Sequence, residues 1–156
     1  MPVMTPIAIR PARRDDVGAI VAMLADDALG RAREKLDQPL PAPYFQAFDR
    51  LDADPNIQLV VAQEEGGAVV GCLQLCILPG LSSQGAWRGL IEDVRVASHC
   101  RSRGIGEQLV EWAVAEARAR DCRLVELLTH HTRVDAQRFY ERLGFQRSHV
   151  GMTRRF

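Results

Sequence analysis

The run Arg101-Ser102-Arg103-Gly104-Ile105-Gly106 puts two arginines and two glycines where a strand-like segment gives way to a helix. At a helix start the first backbone N–H groups have no intrahelical partner, and the helix dipole adds partial positive charge there. Glycine lets a ligand come close to the backbone, and arginine adds charge-assisted hydrogen bonds. Such a loop binds an anion, and a phosphate is its natural guest. Two well-known phosphate loops do not fit. A Walker A loop needs Gly-Lys-Ser/Thr, and Gly106-Glu107-Gln108 stands here instead. A dinucleotide fingerprint needs a third glycine where Leu109 stands, and it opens a first βαβ unit, whereas this strand comes late. For a lone Gly-x-Gly, a plain strand-to-helix turn is the competing reading.

The elements that must position this loop can be followed along the chain. Ile91-Glu92-Asp93-Val94-Arg95-Val96 closes a strand over 86–96 that enters the loop, and a polar stretch, 97–103, follows. Ile105, Leu109, Trp112, Ala113 and Ala117 then mark one side of an amphipathic helix. Upstream, 7–10 reads as a first strand, and Asp15 or Asp16 caps a helix through Val17, Ile20, Val21 and Leu24. The charged, proline-rich stretch 29–43 reads as a loop with one broken turn, and Pro43 opens a second helix. Strands over 57–63 and 68–78 are joined by the tight turn Glu65-Gly66-Gly67, a hairpin signal. Downstream come a strand over 124–128, a short helix capped by Asp135 and ended by Gly144, and a last strand in the tail 145–156. The predicted order is β-α-α-β-β-β-α-β-α-β, an α/β chain with a mixed sheet and helices on its faces.

The chain has 156 residues, a length for one compact domain over 1–156. Twenty basic side chains balance twenty acidic ones, so no broad field points to nucleic acid or an anionic membrane as partner. The N-terminal stretch 1–9 lacks the apolar run of a signal peptide, no later stretch is long enough to span a bilayer, and a cytoplasmic protein is expected. Cys72, Cys76, Cys100 and Cys122 fit neither a disulfide framework nor a CxxC zinc site. Cys72 and Cys76, four apart in a strand, share one face and read as buried small hydrophobes. No metal is expected: His130-His131 are neighbours at a strand end with no further ligands nearby in sequence, and read as polar surface.

Arg-x-x-Gly-x-Gly after Val94-Arg95-Val96 resembles the acetyl-CoA loop of the GNAT superfamily of N-acetyltransferases. A second, longer motif agrees: Asp135-Ala136-Gln137-Arg138-Phe139-Tyr140-Glu141-Arg142-Leu143-Gly144-Phe145 is similar to the family's helix ending in Phe-Tyr-Glu and Gly-Phe. Two motifs in the right order about thirty residues apart make the match specific. The resemblance implies a mostly antiparallel mixed sheet in which a splayed strand pair forms the acetyl-CoA cleft. It implies acetyl-CoA as co-substrate, its pantetheine arm on the backbone of Val94, Arg95 and Val96. The pyrophosphate would rest on the amides of Arg101, Ser102, Arg103, Gly104, Ile105, Gly106 and Glu107. Tyr140 matches the tyrosine that protonates or hydrogen-bonds the departing CoA sulfur. Glu92, two residues before the pantetheine strand, is the candidate base, with a salt bridge to Arg88 or Arg95 as its competing role. Asp93 is expected on the opposite strand face, and the Val94 amide is expected to hold the oxyanion. Arg133 departs from the pattern, standing where many members carry an asparagine that contacts the cofactor.

In such a fold the acceptor pocket comes from 24–43 and 79–88. Here these offer Asp26, Asp27, Arg31, Arg33, Glu34 and Asp37 on one side, Trp87 and Arg88 on the other. Carboxylates suit a cationic amine and arginines a substrate carboxylate. A small molecule is preferred as acceptor, with a protein amine left open. Relatives that dimerise through their last strands suggest a homodimer. A non-catalytic acyl-CoA sensor is the alternative to an active N-acetyltransferase, and the intact Tyr140 weighs against it.

Overall fold

The computed structural model describes residues 4–156; the first three residues of the N-terminal stretch read above lie outside it. The described chain runs β1 (Ile7–Pro11), α1 (Val17–Leu24), α2 (Ala28–Arg33), α3 (Ala42–Ala53), β2 (Ile57–Glu64) and β3 (Val69–Leu78). It continues through the single turn α4 (Ser82–Gly85), β4 (Trp87–Val96), α5 (Ile105–Ala119), β5 (Cys122–Leu127) and α6 (Val134–Arg142). Five strands form one open sheet in the order β1-β2-β3-β4-β5. The first three pairings are antiparallel, and β4 with β5 is parallel. A parallel pair needs a crossover, and the fifteen-residue α5 supplies it. No helix among the described residues is long and apolar enough to cross a membrane.

Strand alternation divides the core between the two sheet faces. Val60, Ala62, Val70, Leu73, Leu75, Ile77 and Ile91 bury on the face covered by Ile105, Leu109, Val110 and Ala113 of α5. Val61 and Cys72 face the other way, against Val17, Ile20 and Val21 of α1 and Phe48 of α3. Leu73, Leu75 and Leu109 are wholly buried, each worth about 1.5–3 kcal/mol against exposure. The helix predicted from period 3.6 is the one that closes the larger cluster.

Four local readings need correction. The first acidic pair does not cap α1 with a side chain: Arg14–Asp16 is a 3-10 turn, and the Asp16 carboxylate instead accepts from the Arg13 amide and both Arg10 terminal nitrogens. The loop after α1 contains a genuine helix, α2, because Asp27 accepts from the Gly30 amide at its N-terminus. Asp135 lies inside the first turn of α6, where the dipole favours it, and Arg133 occupies the cap position. The tail 145–156 forms no strand. Its alternating Val150 and Met152 bury almost nothing, and Arg147 is held back on Glu141, so the apolar spacing finds no sheet to join.

Candidate active site

β4 and β5 pair only from Trp87↔Cys122 to Ile91↔Leu127. From Glu92 onward β4 has no strand partner on that side among the described residues, and the two strands part. On its other side β4 slips against β3: Gln74 faces Glu92 and Cys72 faces Arg95, so two steps along β3 match three along β4. The extra residue is accommodated at Asp93, whose φ of 54° is left-handed, and the Cys72 thiol donates to its carbonyl at 3.4 Å. A bulge re-aims the side chains around it. It overturns the simple alternation expected above, because Glu92 and Asp93 now line the same cleft.

That cleft holds about 580 Å³. Its walls come from Glu92, Asp93, Val94 and Arg95 of β4, Leu127 to His130 after β5, and Arg133, Ala136 and Tyr140 at α6, with Arg33 of α2 and Arg155 of the tail. Glu92 has no ion-pair partner among the described residues. Arg88 binds Glu126 at 2.9 Å, and Arg95 donates to the Val94 carbonyl at 3.0 Å, which removes both partners considered from sequence. Glu92 instead accepts from the Gln74 amide at 3.3 Å, with the Cys76 thiol at 4.0 Å. Burial, then the neighbouring Asp93 carboxylate, raise its pKa above the usual glutamate range. Tyr140 packs edge-on between Phe139 and Phe145 at centroid distances of 5.1 and 5.8 Å. Burial raises its phenol pKa, while Arg95 and Arg133 pull the other way.

The glycine loop lies beyond the splayed end of β4. Ser102 and Gly104 both have positive φ, 63° and 75°, and Gly104 caps α5. The first bond of the helix ladder runs from the Gln108 amide to the Gly104 carbonyl at 3.1 Å, so the amides of Ile105, Gly106 and Glu107 face outward. Arg101 and Arg103 are half exposed, with Asp26 and Glu64 at 3.5 and 3.7 Å. The glycines also have neighbours within the protein. A Cβ on Gly104 would collide with the Met4 sulfur, and one on Gly106 would stand 3.3 Å from Phe139. Phe139 thus links the start of α5 to the Tyr140 helix. Val94 and Val96 pack partly into the main core, leaving their backbone on the parted side of β4.

Other expected residues divide. Arg33 lines the cleft, and Asp27 stands behind it in an ion pair of 2.5 Å with Arg133. Burial pushes the Asp27 carboxyl up, but the Gly30 amide, Arg133, Arg95 and Arg33 outweigh it and hold its pKa below the usual value. Trp87 and Arg88 lie at the paired end of β4, away from the cleft walls. His130 and His131 stack on each other with centroids 4.5 Å apart, and His130 reaches the cleft. Arg155 went unassigned in the sequence because the tail was read as a strand. Among the described residues no group of three His, Cys, Asp or Glu is placed to hold a metal.

A model of the acetyltransferase (GNAT) family matches residues 20–145. An aminoalkylphosphonate N-acetyltransferase of Salmonella typhimurium is 33% identical over 156 residues, spanning 97% of this chain and 93% of that protein. Among solved structures, a transcriptional regulator from Bacillus halodurans C-125 is 46% identical with a TM-score of 0.93, over 97% of this chain and 100% of that one. Glucosamine-6-phosphate N-acetyltransferase from Arabidopsis thaliana shares the fold at 21% identity, with a TM-score of 0.80 over 97% of this chain and 99% of that one. The parted β4–β5 pair and the outward amides of α5 agree with a family match that begins in α1 and ends at Phe145: the chain belongs to the GNAT family and is an acyl-CoA-dependent acetyltransferase.

Proposed function

We propose that the protein transfers the acetyl group of acetyl-CoA to the primary amine of a small molecule, by direct attack while both are bound. The observation that carries this reading is that Glu92 and Tyr140, from β4 and α6, line one cleft at the point where the sheet opens. Pantetheine would run along the free backbone of Val94, Arg95 and Val96, and the pyrophosphate would rest on the amides from Arg101 to Glu107. Glu92 accepts a proton from the bound ammonium, directly or through water, and its raised pKa suits it to that task. The freed amine attacks the thioester carbon, and the Val94 amide stabilises the oxyanion. As the carbon–sulfur bond breaks, Tyr140 protonates the thiolate and regains a proton from solvent, to which the nitrogen and Glu92 release theirs. The products are the amide and free CoA.

A small amine is supported by the name of the Salmonella relative, an aminoalkylphosphonate N-acetyltransferase. A homodimer is supported by the exposed apolar tail residues Val150, Met152 and Phe156 and by the position of β5 at one edge of the sheet. A cytoplasmic setting accords with an acetyl-CoA-dependent reaction. The regulator from Bacillus halodurans supports a second reading, a module that binds acyl-CoA without transfer. Titration with acetyl-CoA by calorimetry, with ATP and NAD as controls, followed by thiol release over a panel of amines, separates the two. Binding with amine-dependent release supports the enzyme. Binding without release from any amine favours the module, and no binding overturns both.

A further inference from the structure

The cleft is rich in charge, and the charges can be sorted by whether the protein already neutralises them. Arg33 is engaged by Glu34 at 2.8 Å, and Glu34 is fixed in turn by the Tyr44 hydroxyl, which donates to it at 2.7 Å. Arg133 is engaged by Asp27. These two pairs also feel the wall around them, since Arg95 helps to lower the Asp27 and Glu34 pKa values and Asp93 helps to raise that of Arg33. Four charged groups on the cleft wall then have no ion-pair partner among the described residues: the carboxylates of Glu92 and Asp93, and the guanidiniums of Arg95 and Arg155.

Arg95 adds a second observation. Among the described residues its buried Nε has no hydrogen-bond partner, and its guanidinium donates only from Nη1 to the Val94 carbonyl. A buried donor left unpaired is unfavourable, and the same guanidinium has nitrogens with bonding capacity to spare toward the cleft it lines. A planar guanidinium matches the oxygen spacing of a carboxylate, phosphate or phosphonate. The two unpaired carboxylates sit together at the β4 bulge, next to where the thioester would lie, and suit a cationic amine.

We infer that the acceptor is a zwitterion: its ammonium is held by Glu92 and Asp93, and an acidic group on the same molecule is held by the side chains of Arg95 and Arg155. The inference rests on the acetyltransfer proposed above and narrows its acceptor to one chemical class. The role assigned to Arg95 here belongs to its side chain, whereas the cofactor role belongs to its backbone. The tail, which joins no strand, then serves to bring Arg155 over the cleft.

The test is steady-state thiol release at saturating acetyl-CoA with four primary amines of similar size: 2-aminoethylphosphonate, 2-aminoethyl phosphate, β-alanine and propylamine. At least one of the three acidic amines is expected to exceed propylamine by ~100-fold or more in kcat/KM, since a neutral tail leaves the site's guanidiniums unpaired. Whichever acid leads supports the inference and names the group. Arg155→Gln and Arg95→Gln should each shrink that advantage by about tenfold, mainly through KM, and in Arg155→Gln the acetyl-CoA Kd should stay unchanged. Arg155→Lys should restore part of it. Equal efficiency with propylamine overturns the inference and leaves the acetyltransfer standing. An unchanged advantage in both glutamine variants overturns it as well. No thiol release with any of the four amines, while acetyl-CoA binds, overturns the inference and the transfer reaction together.

Discussion

Removing the Tyr140 hydroxyl takes away one proton donor and leaves the aromatic packing against Phe139 and Phe145 intact. Tyr140→Phe is therefore expected to lower kcat by about 100-fold or more with little change in acetyl-CoA affinity, measured by thiol release and calorimetry. Glu92 gives a pH prediction whose sign follows from its environment. The base must be ionised, and burial and Asp93 hold its pKa above the usual value, so activity should fall as pH drops through that raised value. Asp93→Asn removes the repelling charge and should move this acidic limb to lower pH, whereas Glu92→Gln should abolish the limb. A kcat/KM profile that keeps the same limb in Glu92→Gln would exclude the role. The positions of Glu92 on the strand before the loop and of Tyr140 on the helix before Gly144 were legible because each sits in a local motif. The orientation of Asp93 was not, because it depends on how β3 registers against β4 near Cys72, a partner some twenty residues away.

The strand-to-helix junction at Gly104 sets a backbone geometry that side chains resist. Its φ of 75° costs an L-residue about 1–2 kcal/mol, and a Cβ there would also push aside the half-exposed Met4 side chain. Gly104→Ala should weaken acetyl-CoA binding and lower the midpoint of thermal unfolding together, since the same turn aims the outward amides and starts α5. Binding calorimetry and calorimetric melting report the two effects, and unchanged affinity would detach the loop from cofactor binding. Elements with strong internal signals were readable: the β2–β3 hairpin from its Gly-Gly turn, and α5 from Ile105, Leu109, Ala113 and Ala117, all buried. The tail was not. Its alternating Val150 and Met152 satisfy the period of a strand, but a strand also needs a partner, and the pairing of β5 ends at Leu127.

Across the molecule, the Arg10–Asp16 pair clamps the first strand to the turn that launches α1, with Gln63 of β2 accepting from the Arg10 Nε. The Arg10 hydrogen bonds, joined by the Arg13 amide, hold the Asp16 carboxyl below the usual aspartate range despite its burial. A depressed carboxyl stabilises the fold above its unfolded pKa, and that contribution is lost as pH falls through the folded value. Asp16→Asn should therefore cost about 2 kcal/mol at pH 7 and much less in acid, where the wild-type advantage has gone; urea unfolding at both pH values measures it. The order β1-β2-β3-β4-β5 has one more consequence. Each strand hydrogen-bonds to the strand made just before it, so on the ribosome every new segment meets a finished neighbour. Three helices are made between β1 and β2, and α5 is made between β4 and β5; only the β2–β3 hairpin pairs across a short turn. A nascent chain of this topology can zip up in the direction of synthesis, with the cleft between β4 and β5 opening as the final event.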